Sequence, residues 1–318
     1  MKRTGILGAT GLVGRTMAQV MKERLPEMEL VYFGSPDKWG RKIGKAPVIP
    51  IAAENIPELD YALFAVSAEV SRKWASIFAA KGITVIDNSS AFRMQDDIPL
   101  VVPEINAHAI KAEDRVIANP NCSTIGMVMA VFPLFQEYEI TSIHVATYQA
   151  VSGAGRRGVQ SYLSEFKEIR EPSTFDRPIL GNLIPFIGAL DNNDFCTEEL
   201  KTIFETEKIL ERYIPVFPHV VRVPVENAHS EAITITLDRK ADIRRMAELL
   251  TAASGVVYSE RPVSPLEVTG SDLVYVSRLR VHPRMDKTVQ MWVVFDNVRK
   301  GAATNAVQIL DYISGRFA

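Results

Sequence analysis

At 318 residues the chain exceeds one ordinary hydrophobic core, and about two domains are expected. With 47% hydrophobic and 23% charged residues it reads as globular, and a net charge of −2 with dispersed Lys and Arg leaves no electrostatic footprint for nucleic acid or an anionic membrane. No apolar run nears the roughly 20 residues that span a bilayer, Met1 to Leu7 is too short for the apolar core of a signal peptide, and two cysteines make no disulfide framework, so a soluble, cytoplasmic chain with free thiols is expected.

The chain opens with a short strand, Thr4-Gly5-Ile6-Leu7, and Gly8-Ala9-Thr10-Gly11-Leu12-Val13-Gly14 turns it into a helix over residues 15–25. Strand, glycine turn and helix in that order open a dinucleotide-binding unit, because glycines let the backbone approach a pyrophosphate and let the helix pack on the sheet. The spacing is G-x-x-G-x-x-G, and the alternative is a tight turn that holds no ligand. A second strand over 29–33 leads into the loop 34–42, where a dinucleotide enzyme reads the adenosine ribose. An apolar strand at 61–66, an amphipathic helix at 70–81 and a strand at 84–86 continue the alternation, which predicts an α/β, doubly wound parallel sheet. Ligands in such sheets lie beyond the carboxyl ends of the strands, where Ser67 and the turn 87–93 fall. Arg93, the cation of that turn, suits an anion contact or stands as a solvated loop arginine.

Asn119-Pro120-Asn121-Cys122-Ser123-Thr124 lies between the strand-like run 115–118 and a long apolar helix-like run, 125–134. A polar turn there puts Cys122 at or near a helix N-terminus, where backbone N–H groups and the helix dipole favour a thiolate and a developing oxyanion. The bland alternative is a buried, inert cysteine. From about residue 140 the pattern changes to period two, at 142–148, 231–237, 274–281 and 289–295. That predicts an α+β second domain with a mainly antiparallel sheet and helices at 158–169 and 197–211. Arg222 and His229 fall on what reads as one alternating stretch. A last helix, 300–314, returns to the first domain, so the division expected is 1–121 with 298–318, and 122–297.

Taken together, the glycine turn, the cysteine turn, Thr147-Tyr148-Gln149-Ala150-Val151-Ser152-Gly153-Ala154-Gly155, Arg222-Val223-Pro224-Val225, Ala228-His229-Ser230-Glu231-Ala232 and Asp296-Asn297-Val298-Arg299-Lys300-Gly301-Ala302-Ala303 resemble the aspartate-β-semialdehyde dehydrogenase family, in order and over nearly the whole chain. The resemblance implies a Rossmann-type domain and a catalytic and dimerisation domain. It implies reversible conversion of L-aspartate 4-semialdehyde plus phosphate to L-4-aspartyl phosphate with NADP. The physiological direction would be reductive, in lysine, diaminopimelate, threonine and methionine biosynthesis. Cys122 would attack the aldehyde and carry a thioester, a role suited to a nucleophilic thiol. His229 would be the acid/base that accepts the thiol proton, and Gln149 would orient the acyl group. Arg222 would fork the substrate carboxylate, Glu198 would meet its amine, and Arg93 and Lys201 would bind phosphate. Gly8, Thr10, Gly11, Leu12, Val13, Ser35, Lys38, Ser152, Gly153 and Asn297 match cofactor positions. A homodimer or homotetramer is implied, and no metal.

Three features depart from the family pattern: Ala228 where glycine is usual, Asp37 where many members carry an arginine, and the cationic pair Arg156-Arg157. Asp37 leaves NAD open beside NADP. The alternatives are an N-acetylglutamyl-phosphate or malonyl-CoA type reductase of the same architecture, a non-catalytic nucleotide-binding paralogue, and a cysteine hydrolase.

Overall fold

The computed structural model describes residues 2–168 and 173–316. It divides into two compact units, Met1–Asn121 with Ala302–Ala318, and Cys122–Gly301. The first unit holds β1 (Arg3–Leu7), α1 (Leu12–Arg24), β2 (Glu29–Gly34), β3 (Lys42–Ile43), β4 (Ala46–Pro50), β5 (Tyr61–Phe64), α2 (Ala68–Ala80), β6 (Thr84–Asp87), α3 (Pro103–Asn106) and β7 (Val116–Ala118). Its seven strands run in the order β3-β4-β2-β1-β5-β6-β7, every pairing parallel except β3 with β4. The chain leaves β1 to one side for β2 and returns on the other for β5, so the order reverses at β1. Successive side chains point to opposite faces of a strand. Ile6, Leu63 and Ile86 accordingly pack with Met17 and Met21 of α1, while Leu7, Phe64 and Val85 pack with Trp74 and Phe78 of α2. Helices on both faces make the sheet doubly wound, as the alternation of elements predicts.

Two helices begin earlier than the sequence suggests. The helix expected at 15–25 is α1, which starts at Leu12 because Gly11 has already bent the chain into the N-cap position. The helix expected at 70–81 is α2, capped by Ser67, whose Oγ accepts from the Val70 N–H. The short strands β3 and β4 were not legible, since Pro47 and Pro50 argue against a strand. Pro47 lies opposite Lys42 in the two-residue pairing with β3, and Pro50 is the last residue of β4, opposite Gly34 of β2. Gly8 takes φ +83°, and a Cβ there would stand 2.3 Å from the Ala65 carbonyl oxygen. Only glycine allows β1 to turn so tightly beside β5.

The second unit holds α4 (Cys122–Phe135), β8 (Ile140–Gln149), α5 (Gly155–Phe166), α6 (Thr197–Leu210), β9 (Val216–Arg222), β10 (His229–Leu237), α7 (Ile243–Ala252), β11 (Val256–Ser259), α8 (Pro265–Val268), β12 (Val274–His282) and β13 (Met285–Phe295). Its six strands run β11-β12-β13-β10-β8-β9. The four central strands pair antiparallel, and both edge strands pair parallel. The sheet is therefore mixed and mainly antiparallel. Arg222 and His229 do not share one stretch: Arg222 ends β9, His229 opens β10, and β8 runs between them. Pro224 offers no N–H to a ladder, and Asn227 and Ala228 form the turn that separates the two strands.

Helix α4 is apolar nearly all round, and every residue from Ser123 to Val131 is buried, which is how such a helix must sit. It lies against β13 so closely that a Cβ at Gly126 would come 2.0 Å from the Phe295 ring. Helix boundaries shift elsewhere. The helix expected at 158–169 is α5, which ends at Phe166, and Ile169 lies outside the described residues. Helix α6 stops at Leu210, because Glu211 is its left-handed cap. The last helix, expected at 300–314, is α9 (Asn305–Arg316) in the first unit, preceded by a π-helical stretch, Arg299–Thr304. The units divide at Ala302, later than residue 298, because Asp296 holds the chain back. Its Oδ1 accepts from the Val298 and Arg299 N–H groups, and Arg299 pairs with Asp272 at 2.8 Å.

Gly126→Ala should overpack the contact with Phe295 and lower stability by about 1–3 kcal/mol. Urea unfolding measures this, and an unchanged midpoint would contradict so close an approach.

Candidate active site

Strand β8 ends at Gln149, and the turn that follows gathers most of the polar side chains singled out in the sequence. The Ala150 peptide is at its centre. Its N–H donates to His229 Nδ1 at 3.1 Å, and its carbonyl accepts from Arg222 Nη1 at 2.6 Å and from the Gly153 N–H at 3.1 Å. A Cβ at Gly153 would lie 2.5 Å from Arg222 Nη1 and 3.3 Å from His229 Nε2, so nothing larger than glycine fits between the two side chains. Gln149 is buried and donates through Nε2 to Thr147 Oγ1 at 3.3 Å.

Cys122 is partly exposed and is the first residue of α4. It interacts electrostatically with Arg222. Burial lowers the Arg222 pKa from its usual value, and the attraction of Cys122 and Glu198 opposes that fall. His229 is wholly buried, its ring edge-on to Phe295 at 5.9 Å. Burial first, and the Arg222 charge second, push its pKa well below 6.5. The other thiol, Cys196, is buried at the N-cap of α6, where desolvation raises its pKa and leaves it a packed, inert group. Glu198 and Lys201 form an ion pair on the first turn of α6, more buried than a solvated helix face.

The Ser152 hydroxyl donates to Asn227 Oδ1 at 2.9 Å and accepts from Asn297 Nδ2 at 3.0 Å. Asn297 Oδ1 accepts the Ala228 N–H at 3.1 Å. These bonds tie the β8 turn to the start of β10. Ala228 holds φ +68°, the conformation glycine takes freely, at a cost of roughly 1–2 kcal/mol for a residue with a Cβ. The turn before His229 thus keeps a glycine-like shape without the glycine. Ala154, Phe175, Ile184, Phe186 and Arg222 line a cleft of about 320 Å³, large enough for a small molecule.

The remaining predicted residues lie in the first unit. Gly8, Thr10, Gly11, Leu12 and Val13 form the turn from β1 into α1, at the point where the strand order reverses. Gly11 caps α1 without a side-chain hydrogen bond, and the first turn carries no acid, so its backbone N–H groups suit a pyrophosphate. The residues present therefore fit a dinucleotide. Ser35 and Lys38 follow β2, and both contact the Asp37 carboxylate. The Lys38 and Ser35 hydrogen bonds lower the Asp37 pKa. Arg93 is buried in the turn after β6 and donates through Nη2 to the Asn88 carbonyl at 2.9 Å.

Sequence reasoning missed two groups here. The Ala150 backbone has no side-chain signal at all. Glu231, on the same buried face of β10 as His229, could have been found from the period-two alternation. It is wholly buried with neither carboxylate oxygen hydrogen-bonded among the described residues, and desolvation raises its pKa well above 4.5. A folded-state pKa above the unfolded value means the folded chain holds the extra proton. Stability contributed by that protonation is full below about pH 4.5 and is lost as pH rises through the folded pKa. Glu231→Gln, which keeps the shape without the charge, should lose less stability than wild type between about pH 5 and 8 and match it near pH 4. Denaturant midpoints across that range measure this, and parallel curves would mean Glu231 is ionised in the folded chain.

Residues 3–113 match the family model described as semialdehyde dehydrogenase, NAD binding domain, and residues 131–300 match semialdehyde dehydrogenase, dimerisation domain. The chain is 39% identical to an aspartate-semialdehyde dehydrogenase of Aquifex aeolicus, over 98% of this chain and 97% of that one. It is 40% identical to aspartate-semialdehyde dehydrogenase 2 of Vibrio cholerae, over 97% and 96%. The solved structure of aspartate semialdehyde dehydrogenase II from Vibrio cholerae, complexed with ASA, matches with a TM-score of 0.94 at 38% identity, covering 100% of this chain and 99% of that one. Identity at this level over the full length, with both domain models matched in order, means that the chain belongs to the aspartate-semialdehyde dehydrogenase family.

Proposed function

We propose that the protein interconverts L-aspartate 4-semialdehyde plus inorganic phosphate with L-4-aspartyl phosphate, using a nicotinamide dinucleotide and a thioester on Cys122. The observation that carries this reading is the grouping in the second unit, where a partly exposed thiol at the start of α4 interacts with the buried Arg222 cation beside His229. An N-terminal helix turn and a guanidinium both favour the thiolate, the form that attacks a carbonyl. Arg222 binds the substrate carboxylate with its planar fork, and Gln149 orients the acyl group. His229 acts at the carbonyl oxygen. Glu198 takes the substrate amine, and Lys201 and Arg93 take phosphate. Ser152, Gly153 and Asn297 shape the nicotinamide side.

The turn from β1 into α1 holds the pyrophosphate, and Ser35 and Lys38 read the adenosine ribose. A bound nicotinamide supplies hydride acceptance and return. The cofactor we propose is NADP, with the local cations Lys38, Arg41 and Lys42 outnumbering Asp37. The reaction runs reductively in the cell, toward lysine, threonine and methionine. The matched dimerisation domain supports a homodimer. Among the described residues no helix is long and apolar enough to cross a membrane, and the proposed substrates are cytoplasmic metabolites.

Absorbance of the reduced cofactor, with aspartate semialdehyde and phosphate, tests the reading. Cys122→Ser should cut kcat by about a hundredfold or more, and Arg222→Lys should raise the substrate KM by a factor equivalent to about 1–3 kcal/mol. Cys196→Ala should turn over like wild type. Wild-type rates from the Cys122 variant would remove the thioester from the mechanism.

The ribose pocket has its own test. Any 2′-phosphate must displace Asp37 from Ser35 and Lys38, so Asp37→Arg should raise kcat/KM for NADP relative to NAD and tighten binding of 2′,5′-ADP relative to 5′-AMP. A wild type that prefers NAD in both assays would overturn the choice of NADP.

A further inference from the structure

Tryptophan is highly buried on average, because its ring carries a large apolar surface. Trp39 is instead 79% exposed, and it belongs to neither apolar cluster that packs on the sheet of the first unit. Its backbone is nevertheless well tied. The Lys38 N–H donates to the Ser35 carbonyl at 2.9 Å, the Trp39 N–H to the Pro36 carbonyl at 3.2 Å, and the Arg41 N–H to the Lys38 carbonyl at 3.1 Å. The Val48 N–H then donates to the Arg41 carbonyl at 2.9 Å, which anchors the far end of the loop on β4. Overlapping turns thus hold the main chain on both sides of an indole that stands open to solvent.

The position of the loop decides what that ring meets. The turn into α1 is bonded to the end of β2, since the Gly8 and Ala9 N–H groups both donate to the Phe33 carbonyl, at 3.1 and 3.2 Å. The loop 34–42 therefore starts beside the N-terminus of α1, the place suited to a pyrophosphate. A dinucleotide laid across the carboxyl ends of β1 and β2 extends from there toward the loop, ribose first and base beyond. Ser35, Asp37 and Lys38 contact one another where the ribose falls. Trp39 comes next, and Gly40 after it has nothing within 4 Å of where a Cβ would stand, so the space beside the turn is open.

On the dinucleotide reading given above, we propose that Trp39 is the adenine platform of this chain, its indole stacking on the purine face whichever 2′ group the ribose carries. The loop then has two separate tasks. Ser35, Asp37 and Lys38 meet the ribose and its 2′ substituent, and so discriminate between NADP and NAD. The indole meets a base that both cofactors share, and adds affinity without discrimination. Every base has a π-face, and an aromatic platform is worth roughly five- to 150-fold in affinity by alanine substitution. A loop already held by its own turns loses little freedom when the base arrives. A second copy of the chain is the poorer occupant. Asp37, Lys38, Arg41 and Lys42 flank the ring, and the buried core of a protein interface is depleted of such charges.

Fluorescence and calorimetry on the full chain test this without turnover. Of the three tryptophans, Trp74 is buried and Trp292 half-buried. Iodide should therefore quench mainly Trp39, and the accessible fraction should vanish in Trp39→Phe. Saturating 5′-AMP, with excitation beyond the adenine absorption, should protect that fraction in the wild type. By calorimetric titration Trp39→Ala should weaken 5′-AMP and 2′,5′-ADP by the same factor, about fivefold or more, while Trp39→Phe keeps an aromatic face and stays within about threefold of wild type. Because the indole is exposed, Trp39→Ala should unfold at the wild-type urea midpoint, and a clearly lower midpoint would mean that the ring packs within the chain and end the idea. Undiminished 5′-AMP affinity in Trp39→Ala would overturn the stack and leave the dinucleotide reading in place. A loss confined to 2′,5′-ADP would also overturn it, by giving the residue to the 2′-phosphate. An indole that iodide cannot reach without nucleotide would show that a second copy already covers it, against the proposal. A wild type that binds no adenine nucleotide would sink the cofactor reading and the platform together.

Discussion

The arrangement of the second unit depends on one peptide group. Ala150 follows the last residue of β8, and the two hydrogen-bonding atoms of its backbone reach side chains from two other strands, His229 of β10 and Arg222 of β9. The sheet order makes this geometry available. Because β8 lies between β9 and β10, the carboxyl end of β8 has the end of one neighbour on one side and the start of the other on the opposite side. A peptide at that junction satisfies its own donor and acceptor, as a buried peptide must, and in doing so orients a guanidinium and an imidazole.

Burial sets the electrostatics of the site. Arg222, His229 and Glu231 are all nearly inaccessible, and desolvation is the first cause of each shift: downward for the two bases, upward for the acid. The result is a site in which burial disfavours charge on both the His229 ring and the Glu231 carboxyl. Cys122 is the contrast, since it stays partly open while Cys196 is sealed. Two thiols of the same chain thus differ in chemistry because one starts a helix beside a cation and the other caps a helix within the core.

Close packing explains why small residues recur where they do. Gly126 lets α4 settle against the Phe295 ring, and Gly153 leaves room between Arg222 and His229. Neither position shows a positive φ, so the requirement is space and not backbone freedom. Ala228 is the reverse case, a residue with a Cβ held at positive φ because Asn297 accepts its N–H and its methyl packs among Val263, Val268 and Val294.

By itself the sequence determined the class of each half. Glycines between a strand and a helix, apolar runs spaced by amphipathic helices and period-two segments are local patterns, and local patterns survive in a linear reading. The start of a helix at Cys122 was legible for the same reason, a polar turn joining two apolar runs. What lay beyond the linear reading was decided by neighbours distant in the chain. That β9 inserts beside β8, that Arg222 and His229 flank a common strand, and that Asn297 reaches back to Ser152 and Ala228 all follow from sheet order, which no residue spacing encodes. The partner of His229 Nδ1 is an alanine's backbone N–H, 79 positions away, and a backbone N–H is the same in every sequence except at proline. Only the folded chain could aim it.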